Sequence, residues 1–184
     1  TKPNYGTASN PHQYFVDGNI VVGDAYLTVG GVTKWRSIVA GSLGAGGKGI
    51  VVLDVTDVTD ASPQPRVLFE YQHAEMGNVL GKMFILPTKA GRWALVFGNG
   101  DFTNTTSKLF MVDLESPTGT ETKIIDTGAG TGLSSPAVIL NALGQLESVY
   151  AGDVDGNLWH FYYPTTLSVT LSAYKVFKTQ SGQP

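Results

Sequence analysis

The chain has no cysteine in its 184 residues, which excludes disulfide stapling and thiol chemistry alike. Charge is also scarce. Asp, Glu, Lys and Arg together make up 15% of the residues, and the net charge is −3. A protein that grips nucleic acid through its phosphates needs a basic face, and this balance supplies none. No run of about 18 apolar residues occurs, so no helical membrane span is expected. The opening Thr1-Lys-Pro-Asn-Tyr-Gly6 lacks the basic and apolar regions of a secretion leader. The chain therefore reads either as cytosolic or as a mature or excised piece of something secreted. Helical periodicity is missing too, apart from one helical turn expected within His73 to Leu80. What remains is glycine, 23 residues of it, with frequent Ser and Thr. That composition suits an extracellular β-protein better than a helical enzyme.

One stretch sets the pattern for the rest. Pro136 to Leu140, Ser148 to Ala151 and Leu158 to Tyr162 read as three strands. Between the last two lies Gly152-Asp-Val-Asp-Gly-Asn157, whose Asp-Gly-Asn supplies the positive φ of a tight hairpin. The same plan occurs twice earlier. Trp35 to Gly41 is followed by Gly49 to Val55, and Trp93 to Gly98 by Lys108 to Leu114. The strand-ending glycines Gly41, Gly98 and Gly152 fall 57 and 54 residues apart. An all-strand repeat near 50 residues is the signature of propeller blades.

Residues 1–11 are read as an N-terminal arm. Residues 12–184 are read as an all-β, quinoprotein-like β-propeller segment with blades over roughly 12–72, 80–127 and 132–180. In the first blade, Tyr14 to Leu27 is expected to hold two short strands around a turn at Asp17-Gly-Asn19. Ser42 to Lys48 is expected to be a flexible hairpin tip. Ile50 to Val55, an almost continuous apolar run, suits a strand covered on both faces. Arg66 to Tyr71, Thr122 to Asp126 and Ser172 to Lys178 close the three blades. Closed propellers use about 4 to 8 blades, so three are expected to belong to a larger propeller, completed by a longer parent chain or a partner.

Few residues carry a chemical signature. Gly44-x-Gly-x-x-Gly49 matches a dinucleotide fingerprint, but a strand follows it where a helix N-terminus is needed. Asp54, Asp57 and Asp60 stand three apart; on a strand leading into a loop they share no face, and they read as a solvated strand end. Asp153 and Asp155 read as acceptors for turn amides, with a calcium role as the alternative. His12, His73 and His160 show no metal-ligand spacing. His160 is expected on the face opposite Trp159 and Phe161, and His73 with Glu75 is the one conceivable acid–base pair. Trp35, Trp93 and Trp159 are read as equivalent inter-blade packing residues in preference to a ligand cage.

Six motifs in order carry a family resemblance: Tyr14-Phe-Val-Asp-Gly18, Val51-Val-Leu-Asp-Val-Thr-Asp57, Val67-Leu-Phe-Glu70, Trp93 to Gly100, Gly132-Leu-Ser-Ser-Pro136 and Val149-Tyr-Ala-Gly-Asp-Val-Asp-Gly-Asn-Leu-Trp159. Over roughly residues 12 to 184 the chain resembles the C-terminal propeller of the PilY/PilC family of type IV pilus tip adhesins. That resemblance implies a secreted protein that passes through the periplasm to the pilus tip or outer cell surface. It would promote pilus assembly together with minor pilins and bind a host or environmental receptor. It implies no enzymatic activity and no cofactor except calcium, which the family often holds in a loop just before the "VYAGD" motif. The matching positions are Ile139, Asn141, Leu143, Gly144, Gln145 and Glu147. Only Asn141 and Glu147 remain as side-chain ligand candidates, and a plain β-turn packed by Leu143 is the expected form. The recognition loops are taken to be Ser42 to Lys48, Asp57 to Pro65 and Asn99 to Ser107. Two alternatives stay open: a segment of a quinoprotein-like propeller dehydrogenase, and a purely structural domain that docks pilins.

Overall fold

Gly30 and Gly31, at φ 61° and 80°, turn the first strand back on itself, and paired positive φ values make a hairpin turn that follows the strand twist. In the computed structural model, which describes residues 12–59, 64–101 and 104–180, that hairpin opens a series of twelve strands. The strands are β1 (Ile20–Val29), β2 (Val32–Ser42), β3 (Ile50–Asp54), β4 (Arg66–Tyr71), β5 (Phe84–Pro87), β6 (Trp93–Gly98), β7 (Lys108–Asp113), β8 (Lys123–Asp126), β9 (Ala137–Leu140), β10 (Leu146–Gly152), β11 (Asn157–Tyr162) and β12 (Ser172–Lys178). They form three four-stranded antiparallel meanders, β1–β4, β5–β8 and β9–β12. Gly41, Gly98 and Gly152 each end or nearly end the second strand of their sheet, at equivalent places.

The middle sheet explains why the three stack. In β6 and β7 nearly every residue is buried. Leu95, Phe97, Phe110 and Val112 join Ile38, Ala40, Val52 and Tyr71 of the first sheet in one core. Their strand neighbours Ala94, Val96, Leu109 and Met111 point the other way, to Val149, Ala151, Trp159 and Phe161 of the third. A period-two side-chain pattern with both phases apolar is what a strand between two sheets requires. Phe97 and Phe110 stack at 5.2 Å with planes 10° apart. Each such ring removed from water contributes about 1.5–3 kcal/mol.

The connections between sheets run over the end that carries the strand-two glycines. Gly98 sits there with Leu133 and Ser134 against it: a Cβ at Gly98 would lie 2.3 Å from the Leu133 carbonyl oxygen. Glycine is needed because backbone passes directly over backbone.

Several sequence expectations are corrected. Tyr14 to Leu27 holds one strand, β1, and Asp17-Gly-Asn19 is no hairpin turn. That segment packs along the β2–β3 connection instead: the Ala45 amide donates to Asp17 Oδ1 (2.9 Å) and the Ser42 amide to the Asn19 carbonyl (3.1 Å). Ser42 to Lys48 is not a free tip; it contains a 3-10 turn at Gly44–Gly46, and the Ser42 hydroxyl donates to the Val79 carbonyl at 2.7 Å. β3 alternates buried and half-buried residues, so one of its faces is not fully covered. His73 to Leu80 makes a single turn, closed by Met76 N–H to the His73 carbonyl (3.0 Å), with no helix. Trp159 is not equivalent to the other two tryptophans. Trp35 and Trp93 lie on second strands, whereas Trp159 lies on β11, a third strand. Trp35 is exposed and touches Trp93 at 5.6 Å, whereas Trp159 is buried in the second core.

Candidate functional site

The polar residues of the repeated motifs converge inside the molecule. Asp153 follows directly on the second strand of the third sheet and is buried. Its carboxylate accepts from the Asn157 amide (2.9 Å), the Asn157 side chain (2.8 and 3.0 Å), the Trp159 indole N–H (2.7 Å) and the Ser107 hydroxyl of the middle sheet's loop (3.1 Å). Burial pushes its pKa up, but the hydrogen bonds from Trp159, Asn157 and Ser107 outweigh this and hold it below the usual carboxylate value. Asn99 in the middle sheet is the counterpart. It is fully buried, accepts from the Lys108 and Leu133 amides (3.1 and 2.9 Å), and donates to the Thr106 carbonyl (3.1 Å). The residues read as turn formers or as a recognition loop therefore lock one sheet to the next. Asp155 is exposed, with Thr131 Oγ1 at 3.4 Å.

A second recurring device sits at the other end of the sheets. Arg36 on β2 meets Asp54 at the end of β3 at 2.6 Å, with both groups nearly fully buried. Arg92, just before β6, meets Asp113 at the end of β7 through two bonds of 2.8 and 2.9 Å. Each aspartate also caps the turn beyond its strand, Asp54 through the Thr56 amide and Asp113 through the Glu115 and Ser116 amides. For Asp54, burial raises the pKa while hydrogen bonds from Thr56 and Arg36 bring it below its ordinary value. The acidic triplet is thereby dissolved: Asp54 belongs to this clamp, Asp57 pairs with Lys34 at 2.8 Å on the surface, and Asp60 lies outside the described residues.

The remaining sequence candidates separate widely. Asn141 Oδ1 accepts the Leu143 and Gln145 amides (2.9 and 3.0 Å), and the turn closes with Gly144 at φ 73°. Glu147 points instead to Lys89 at 3.4 Å. Leu143 is 81% exposed and does not pack the turn, which corrects its expected role. Ile139 is exposed on β9. The Asn141 side-chain oxygen is spent on the turn and Glu147 is drawn to Lys89, so this donor set does not fit a calcium ion, which takes six to eight oxygens. Among the described residues no three His, Asp or Glu side chains gather as a metal site.

His73 Nδ1 accepts the Glu75 amide at 3.2 Å and lies 4.0 Å from the Glu75 carboxylate, which also holds Lys108 at 3.1 Å. Lys108 is buried and pairs with Asp126 as well; burial lowers its pKa, but Asp126 and Glu75 outweigh this and raise it. His12 lies edge-on to Tyr14 at 4.7 Å. His160 faces away from Trp159 and Phe161, stacks on Tyr150 at 4.3 Å, and has its pKa lowered by burial. Among the expected recognition loops, Asn99, Gly100 and Ser107 are buried, and residues 60–63 and 102–103 lie outside the described part.

Known proteins resemble this chain in sequence and in fold. The sequence profile of the PilY1 beta-propeller domain matches residues 3–170. The chain belongs to the PilY1 β-propeller family. The Type IV pilus biogenesis factor PilY1 of Pseudomonas aeruginosa is 39% identical over 165 residues, covering 85% of this chain and 13% of that protein. A PilY1 homolog of Xylella fastidiosa is 36% identical over 177 residues, covering 85% of this chain and 12% of the relative. The crystal structure of the Pseudomonas aeruginosa PilY1 C-terminal domain superposes with a TM-score of 0.67 at 36% identity, over 80% of this chain and 30% of that one. The chain thus spans about an eighth of the length of these curated relatives. Its three sheets are propeller blades, and no helix among the described residues is long and apolar enough to cross a membrane.

Proposed function

We propose that this chain is part of the propeller of a type IV pilus biogenesis factor and works as a rigid binding scaffold outside the cell, not as an enzyme. It reaches the pilus tip or outer surface through the periplasm, supports pilus assembly with minor pilins, and presents surface groups to a host or environmental receptor. The observation that carries this reading is the 39% identity over 165 residues to a protein named for pilus biogenesis. The internal chemistry supports it. Asp153, Asn99, Asp54 and Asp113 spend their bonding capacity on neighbouring strands and loops, as a scaffold requires. The Asp153 carboxylate and the Trp159 indole are both buried and bonded to each other at 2.7 Å, which leaves neither free to meet a cofactor. Two hollows among the described residues are modest. One of about 280 Å³ lies beside Val16, Ile50 and Tyr71, and one of about 270 Å³ beside Tyr71, His73 and Pro117. Both fall below the ~300–1,000 Å³ of typical small-molecule sites.

The test is to replace the gene that encodes this chain with one lacking residues 12–180, and to measure sheared surface pili. Capture of minor pilins by the purified protein runs in parallel. Loss of surface pili with minor pilins captured is the expected result. Full piliation without these residues would overturn the reading.

A further inference from the structure

The first hairpin is longer than its counterparts. β1 and β2 run for 10 and 11 residues, against 4 and 6 for β5 and β6 and 4 and 7 for β9 and β10. β2 pairs with β3 only over Ile38–Ser42, so the ribbon from Asp24 to Ser37 overhangs the four-stranded part of the sheet.

The two faces of this overhang differ. One is anchored: Ala25 and Leu27 enter the core, Arg36 holds Asp54, and Lys34 holds Asp57. The other carries three cross-strand pairs in succession, Asp24 with Ser37, Tyr26 with Trp35, and Thr28 with Thr33. Residues two apart on a strand share a face, so these six side chains form one strip. Tyr26 and Trp35 are 50% and 59% exposed, with ring centroids 5.6 Å apart and planes inclined by 60°. Trp93 of the next sheet meets Trp35 edge-on at 5.6 Å, and Glu115 accepts the Thr28 amide, so the ribbon is braced against its neighbour. Hydrogen-bonding groups flank the aromatic pair on both sides: Ser37 donates to Asp24 at 2.8 Å, and the Thr28 and Thr33 hydroxyls meet at 2.7 Å.

The faces that pack sheet on sheet in this molecule are mostly aliphatic side chains and Phe, with Tyr71, Trp159 and Tyr163 buried among them. The same face of the first sheet is aliphatic at Ile20 and Val22, and turns polar and aromatic only where the ribbon overhangs. A further sheet laid on the aliphatic part would leave the overhang open. Exposed Tyr and Trp on a rigid strand, with carboxylate and hydroxyls on either side, can present an apolar ring face and polar edges together. A pyranose has that same division between its C–H face and its hydroxyl rim. The outer pairs are four residues apart, roughly 14 Å along a strand, which spans a short oligosaccharide and not one sugar. Asp24 is the one charged group among the six, so acidic saccharides are disfavoured.

We propose that the strip formed by Asp24, Tyr26, Thr28, Thr33, Trp35 and Ser37 is a binding platform for neutral oligosaccharides. This deepens the surface-binding part of the function proposed above and rests on it. The purified protein is assayed on immobilised cellotetraose, maltotetraose and triacetylchitotriose, with heparin as the acidic comparison. Trp35→Ala is expected to weaken binding to the neutral probes about tenfold or more, and Trp35→Phe about threefold, as loss and partial retention of one aromatic contact would give. Asp24→Ala, on an exposed position, is expected to weaken it as well without any change in unfolding midpoint. Surface piliation is measured in cells carrying Trp35→Ala and is expected to be normal. Three results would overturn the platform: no binding to any neutral probe, binding to heparin alone, or binding unchanged by both Trp35→Ala and Asp24→Ala. Loss of piliation in Trp35→Ala cells, with saccharide binding retained, would also remove the strip from surface recognition while leaving the assembly role standing.

Discussion

Replacing Asp153 with Ala tests whether the family's aspartate motif is structural. The substitution leaves the Trp159 indole N–H, the Asn157 backbone and side-chain amides and the Ser107 hydroxyl facing a methyl group in a buried site. An unsatisfied buried donor costs about 1–3 kcal/mol. Four such donors, with part of the loss recovered by relaxation, give an expected destabilisation of about 3–5 kcal/mol, at the upper end for single substitutions. Each kcal/mol moves the melting temperature of a chain this size by about 2–4 °C, so a fall of roughly 10 °C is expected. Urea unfolding gives the free energy, and Asp155→Ala supplies the control two residues away. Asp155 is exposed, and its loss should stay within about 0.5 kcal/mol. The pH dependence has a definite sign. The folded pKa of Asp153 lies below the ordinary 3.8, so the unfolded chain binds the proton more tightly. The carboxylate's contribution is complete above about pH 4–5 and disappears as pH falls through the folded value. Asp153→Ala should therefore differ most from the parent near neutral pH and least in strong acid. A loss under 1 kcal/mol, or one equal to that of Asp155→Ala, would refute the reasoning.

Two further substitutions probe the joints and the clamp. Gly98→Ala drives a Cβ to 2.3 Å from the Leu133 carbonyl; it should cost several kcal/mol in urea unfolding, whereas Gly91→Ala, at φ 73° with open space around it, should cost about 1–2 kcal/mol. Arg36→Met leaves the Asp54 carboxylate buried without its cation, and about 3–5 kcal/mol should be lost; adding Asp54→Leu should restore much of that, because the pair as a whole is close to neutral against a packed apolar replacement. A double mutant no more stable than Arg36→Met alone would contradict the paired account.

Much of the fold was written in local signals. The strand-ending glycines marked the repeat because they sit where connections cross the sheet ends, a backbone constraint visible in sequence. β4 and β12 were expected at their observed bounds, since loops with clear turn residues flank them. The tryptophans misled because aromatic spacing alone does not say which strand of a blade carries the ring, and Trp159 follows its glycine where Trp35 and Trp93 precede theirs. Tyr14 to Asp17 looked like strand from its apolar residues, yet it finds no strand partner there. The buried roles of Asn99 and Asp153 were missed for a different reason. Their hydrogen-bond partners Leu133 and Ser107 lie 34 and 46 residues away, and polarity in a glycine-rich stretch reads as loop. A signal was present for the Arg–Asp clamps: in two successive repeats an arginine near the start of the second strand precedes an aspartate ending the third, by 18 and 21 residues. The overhanging ribbon was not foreseen, because its exposure depends on how far β3 follows β2.

The central claim is that three sheets stack with the middle one covered on both faces. Amide hydrogen exchange, resolved by residue, tests it most directly. Residues 94–98 and 108–113 should exchange slowest, near the rate set by global unfolding, with 172–178 much faster. Middle-sheet amides that exchange as fast as those of β12 would contradict the account.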